Sequence, residues 1–170
     1  MLVNGKRELA YTVRIDAIEP IEGSDNCECA VVGGWRVMVR KETFKAGDLA
    51  VYFEIDSKLP ETVIYSFLEK KHYKVKTQKY TFGGKGNFIS QGLLMSFKDF
   101  CANGGMPAWQ AELLFRINSG EANFDGTNEP LTETLGVAYA VAEDNKRKSV
   151  GDKYKKMAQR HWKLFKHNKL

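Results

Sequence analysis

The sequence predicts a mainly β protein with added helices: a five-stranded Greek-key barrel in the first hundred residues, then peripheral and C-terminal α-helices. Three observations predict it. Runs of two-residue alternation follow one another between Leu9 and Ile55, every break between them carries a turn signal, and from Lys98 onward the apolar spacing becomes helical. Four such short strands in so short a stretch suggest a sheet that closes into a barrel.

The elements follow in order. Leu9, Tyr11, Val13 and Ile15 alternate with polar or small residues as a half-buried first strand, and Pro20 to Asp25 is a turn cluster. Cys27, Cys29 and Val31 alternate again, Gly33-Gly34 supplies the positive-φ pair of a type I′ hairpin, and Trp35, Val37 and Val39 carry the return strand. A polar bend with Gly47 in a left-handed position leads into Leu49, Val51, Phe53 and Ile55. Val63, Phe67 and Leu68 predict a short helix inserted over 61–71. Tyr73, Val75 and Thr77 then alternate with Lys74, Lys76 and Gln78, which predicts a strand with one cationic face. After the glycine-rich loop 81–88, Ile89 to Met95 is the strand that closes the barrel, with Gly92 marking a bend or a close backbone approach.

Beyond residue 97 the pattern is helical. Phe97, Phe100 and Cys101 fit a turn ended by Gly104-Gly105, and Pro107 opens a helix whose Trp109, Leu113 and Ile117 share a face. Residues 121–130 form a loop, and 131–140 a short helix followed by an extended piece. Ser149 and Asp152 have capping-box spacing ahead of an amphipathic helix with Val150, Tyr154, Met157, Ala158, His161, Trp162 and Phe165 on one face. The expected organisation is a barrel over 1–97, a helical and loop elaboration packed on it over 98–144, and a basic linker and amphipathic helix over 145–170.

Composition bounds the function. At 170 residues, with 43% apolar and 12% aromatic content, the chain can bury a core without staples and is not disordered. No run approaches a membrane span, and MLVNGKREL lacks the apolar core of a signal peptide, so a cytoplasmic protein without membrane contact is expected. Three sparse cysteines, Cys27, Cys29 and Cys101, read as reduced core thiols. The net charge of +5 belongs to the tail: residues 145–170 carry ten Lys or Arg against Asp152 alone, a balance of +9, so the remaining 16 basic and 20 acidic residues give −4. Nucleic-acid contact is therefore sought in local patches.

The blocks IDAIEPIEGSD, VGGW, VRKETFKAGDLAVYFEIDSKLP, KVKTQK and ISQGLL resemble the N-terminal OB-fold module of a family of ATP-dependent RNA ligases. The likeness spans about Arg14 to Leu94, and its strand–IEP turn–strand part is also similar to tRNA-binding OB domains. The resemblance implies an RNA-binding module that orients RNA ends or nicks, or an RNA/DNA hybrid. In the family a nucleotidyltransferase domain follows and uses ATP with Mg or Mn. No cofactor is expected in this segment itself. Nucleotidyl transfer needs a Lys-x-Asp-Gly-type lysine, and Lys148 to Gly151 has valine where the motif requires a polar residue; catalysis is expected elsewhere. The loop around Lys85 lacks the Ser or Thr of a Walker motif, and His72, His161 and His167 show no zinc-like spacing.

Binding remains. Lys74, Lys76, Lys79 and Lys85 interleave with Tyr73, Tyr80, Phe82 and Phe88, the combination that holds phosphates while stacking bases, although the same pattern also describes core rings beneath solvated lysines. Arg36, Arg40, Lys41 and Lys45 form a second patch, and Ser90 and Gln91 are implicated by the resemblance to the ISQGL block. Two other functions stay open: a free-standing tRNA-binding-type OB domain, and a protein-interaction module using Glu54, Asp56 and the acidic stretch 121–144.

Overall fold

The computed structural model describes residues 1–82 and 87–140. The chain divides into two units, Met1–Ala138 and Tyr139–Leu170. The predicted linker and amphipathic helix over 145–170, with Lys148, His161 and His167, lie outside the described residues, as does Lys85.

A small two-stranded ribbon, β1 (Leu2–Val3) with β2 (Lys6–Arg7), opens the chain. The predicted first strand, Leu9 to Ile15, is β3 (Ala10–Arg14), and a segment not expected from the alternation, β4 (Ala17–Pro20), follows it. The chain changes partners between them: β3 pairs antiparallel with β7 (Leu49–Phe53), whereas β4 pairs with β5 (Cys27–Val32). At the crossover Ile15 N–H donates to Asp48 O at 2.9 Å and Asp16 N–H to Val31 O at 2.8 Å, so one strand belongs to both sheets. The β5–β6 hairpin (β6, Trp35–Arg40) turns on Gly33 and Gly34 at φ +51° and +88°, the pair of left-handed residues that a type I′ turn requires.

Closure comes from the far end of the barrel sequence. The predicted strand from Ile89 to Met95 is broken into β11 (Asn87–Ser90) and β12 (Leu93–Met95), and β12 pairs with β7. The break is what closes the ring. Gln91 N–H donates to Arg36 O at 2.8 Å and the Ser90 hydroxyl accepts Met38 N–H at 2.9 Å, tying this segment to β6. The order is thus β3/β4, β5, β6, β11/β12, β7 and back to β3, a five-stranded closed Greek key. Inside it pack Tyr11, Val13, Ile15, Val32, Val37, Val39, Phe44, Tyr52 and Leu94.

Every residue of β7 is buried, because its two faces serve two cores. Ala50 and Tyr52 point into the barrel, while Leu49, Val51 and Phe53 meet a helical layer. That layer comprises a 3-10 helix (Val63–Lys71), α1 (Phe97–Asn103), α2 (Ala108–Asn118) and α3 (Thr132–Leu135). Tyr65 stands edge-on to Phe53 and Phe100, at 5.9 Å and 6.5 Å between centroids, contacts worth about 0.5–1.5 kcal/mol each beyond area burial. The free edge of β3 is covered by the run 126–131: Leu131 N–H donates to Ala10 O at 2.9 Å, and buried Thr12 hydrogen-bonds Gly126 O and Glu129 N–H through its hydroxyl.

Four predicted features differ. The inserted helix buries Ile64, Tyr65 and Leu68 and leaves Val63 and Phe67 exposed; α2 buries Ala111, Leu114 and Ile117, with Trp109 68% exposed. In both helices two apolar stripes satisfy the spacing, and the barrel takes the one carrying residues that fit its surface. Cys101 is exposed rather than buried, since Phe97 and Phe100 occupy the inward face of α1. The single strand from Tyr73 to Gln78 is not formed. His72 and Tyr73 both take positive φ (56° and 60°), Lys74–Val75 (β9) pairs with Ser57–Lys58 (β8), and Gln78–Thr81 (β10) pairs separately with β11.

Candidate nucleic-acid interface

The lysines and rings expected on one surface are sorted by the pleat of the β10–β11 hairpin. Tyr80 lies opposite Phe88 and Gln78 opposite Ser90 on one face; Lys79 lies opposite Ile89 and Thr81 opposite Asn87 on the other. The first face is turned toward the barrel. There Tyr80, Phe82 and Phe88 cover Cys27, Cys29, Val31 and Met38, which are the outward-pointing side chains of β5 and β6. Tyr80 and Phe82 stack on each other at 6.2 Å with 13° between ring planes. Burial, with a further contribution from Cys27, pushes the Tyr80 hydroxyl's pKa up. Tyr80 and Phe88 thus act as packing residues.

The second face is solvent-exposed and carries Lys79, Thr81, Asn87 and Ile89, the last 50% exposed. Lys76 precedes it, also exposed. Lys74 is half-buried in β9, and Tyr73 is half-buried against the helical core, so neither shares the hairpin's open face. Lys41 and Lys45 are exposed in the bend after β6, where Glu42 takes φ +66°. Arg36 pairs with Glu19 at 3.3 Å, with half of its side chain open. Ser90 is buried and Gln91 half-buried; Gln91 O also accepts the Tyr52 hydroxyl at 2.8 Å, so the pair is engaged in barrel closure.

The Glu54 carboxylate accepts the Tyr11 hydroxyl at 2.6 Å, and Asp56 sits in a turn at φ +70°. Burial, then the Glu54 hydrogen bond and charge, raise the Tyr11 pKa far above that of a free tyrosine. Among the described residues no group of His, Cys, Asp and Glu is placed to hold a metal ion. No helix among them is long and apolar enough to cross a membrane.

A family model for an OB-fold domain matches residues 9–96, more than half of the chain. The chain belongs to this OB-fold domain family. Among solved structures it is similar to Naegleria gruberi RNA ligase. A mutant of that ligase with ATP and Mn matches at 28% identity and a TM-score of 0.54, covering 78% of this chain and 35% of the ligase. The same ligase with PPi matches at 28% identity and a TM-score of 0.52, covering 79% and 35%. The chain thus spans about a third of the ligase chains it matches. No curated protein matches.

Placed in OB terms, β5 and β6 are the strands whose outer face, flanked by the loops after the first and fourth strands, commonly binds oligonucleotides. In this OB module the long connection from β7 to β12 carries the β10–β11 hairpin across that face. Its Phe82 also meets the first loop, where a Cβ on Gly23 would lie 2.7 Å from Phe82 O. The outer surface at this point is therefore the hairpin's lysine-bearing side.

Sequence reasoning missed a groove at the opposite barrel mouth, lined by Trp35, Tyr11, Val13, Val32, Arg14 and Asp16 among others. Its signal was available: Trp35 is in phase with inward-facing Val37 and Val39, but it sits at the strand end, where an inward residue reaches the rim.

Proposed function

We propose that this chain is the RNA-binding OB module of an RNA ligase-like protein, gripping RNA beside an end or a nick while a nucleotidyltransferase domain performs the sealing. The observation that carries the reading is the likeness to an RNA ligase at 28% identity over 78% of this chain. Exposed Lys79 on the hairpin and Lys76 just before it, with Arg36 on β6 and Lys41 and Lys45 in the bend after it, supply cations for phosphates. The nucleotidyltransferase domain would consume ATP with Mg or Mn as its metal cofactor, and the module's contribution is affinity and orientation of the RNA.

Filter binding of RNA across a salt series tests this. The logarithm of the affinity should fall linearly with log salt, by roughly 0.7 to 0.9 in slope for each phosphate neutralised. Lys76→Ala with Lys79→Ala should weaken binding uniformly across RNA sequences and reduce the slope by roughly 1 to 2. Salt-independent binding, or an unchanged slope in the double variant, counts against the reading.

A further inference from the structure

The groove at the barrel mouth leaves an aromatic ring open beside an apolar floor, and none of its lining residues belongs to the hairpin-covered cluster. Its volume is about 710 Å³, within the range of roughly 300–1,000 Å³ typical of small-ligand sites. Tyr11, Val13 and Val32 contribute an apolar floor that continues the barrel core. Trp35 forms one wall. Val37, in phase with it on β6, is 1% exposed, whereas Trp35 is 37% exposed, a large ring left partly bare where the barrel opens.

The polar groups of the groove are paired and held in place. Asp16 accepts the Gly33 N–H at 2.8 Å, which anchors the hairpin turn that presents Trp35. Arg14 donates to Gly47 O at 3.1 Å and to Asp125 O at 2.5 Å, and Glu54 takes the Tyr11 hydroxyl. The lining holds three cations, the Met1 ammonium, Arg7 and Arg14, and two carboxylates, Asp16 and Glu54. The ammonium and Arg7 both engage Glu54, and Arg14 engages Asp125 at 3.7 Å just outside the lining, so with the cations already held by carboxylates the site favours a neutral, flat, hydrogen-bonding group over a phosphate. A fixed ring also loses little freedom when a ligand stacks on it.

We propose that this groove is a nucleobase pocket that takes one unstacked base of single-stranded RNA against the face of Trp35, with the edge of the base toward Asp16 and the loop at Thr127 and Asn128. The inference rests on the RNA-binding reading and narrows it to RNA with an unpaired segment. A paired base cannot enter, because its edge is occupied and its faces are stacked.

Fluorescence anisotropy with a labelled single-stranded RNA oligomer and a blunt RNA duplex of equal length is the test. Trp35→Ala should weaken the single strand about ten-fold, which is roughly 1.4 kcal/mol and within the range for one stacked base, and leave the duplex unchanged; Trp35→Phe should retain most of the affinity. The sequence has three tryptophans, so a Trp109→Phe/Trp162→Phe protein keeps Trp35 as its sole tryptophan reporter. Its emission should be quenched by the single strand and not by the duplex. Absence of quenching, or equal losses for both RNAs in Trp35→Ala, overturns the pocket while salt-dependent RNA binding leaves the broader reading standing. If wild-type protein binds neither RNA, both fall together.

Discussion

Gly92→Ala probes the closure on which the barrel depends. Gly92 takes φ +109°, a conformation essentially confined to glycine, and a Cβ built there would lie 2.5 Å from Cε1 and the hydroxyl of Tyr52. Tyr52 cannot step aside cheaply. It is 1% exposed, its hydroxyl donates to Gln91 O at 2.8 Å, and its ring stands edge-on to Tyr11 at 5.8 Å. The backbone strain costs about 1–3 kcal/mol, and forcing a methyl into a filled core costs about 1–3 kcal/mol more. The expected loss is therefore about 2–6 kcal/mol, a large part of the roughly 5–15 kcal/mol that stabilises a typical domain. Urea unfolding followed by circular dichroism should show the midpoint falling by about 2 M at a slope near 2 kcal/mol/M. In a Tyr52→Ala background the steric part disappears, so the two substitutions should couple by about 1–3 kcal/mol. A loss below about 1 kcal/mol, or simple additivity in the double variant, would refute the argument that Tyr52 is what demands glycine here.

Further outcomes follow from buried groups and thiols. Among the described residues the buried Tyr65 hydroxyl has no hydrogen-bond partner, so Tyr65→Phe should leave stability unchanged or raise it by up to about 1 kcal/mol; a clear decrease in the urea midpoint would show that the hydroxyl is satisfied. Burial pushes the Tyr65 pKa up to about 12 from 10, so the folded state favours the neutral phenol. That stability is fully present below pH 10 and is lost between pH 10 and about 12, and Tyr65→Phe should reduce the alkaline loss; an identical pH profile in the variant would contradict it. Thiol titration of the folded protein should modify exposed Cys101 first and buried Cys29 only on unfolding, with fast labelling of Cys29 as the contrary result.

The barrel was legible where its signals are local. Gly33-Gly34 reads as a type I′ turn in any context, and alternation through Trp35, Val37 and Val39 assigns the inward face before any partner strand is known. Gly92 also announced itself, although the ring that requires it, Tyr52, stands forty residues earlier in the chain. The interleaved lysines and aromatics of 73–88 were half legible. Alternation in β10 separates Lys79 from Tyr80, but nothing in the run says that the aromatic side is covered by the outer face of β5 and β6. The break at His72 and Tyr73 was illegible, because two consecutive left-handed residues without glycine arise where surrounding structure imposes them. In α2 the stripes through Trp109 and through Ala111 both fit a helix, and small Ala111 is the one that lies against the core.

From its residues alone this protein had most of its barrel strands, its hairpin turn and the place of its helices between residues 61 and 135, because backbone conformation and side-chain alternation are set by near neighbours. Which faces meet, which lysines remain in water and that Trp35 stands at an open barrel mouth were decided by tertiary packing. The physical reason is that alternation sorts side chains into two faces without saying which face will find a partner.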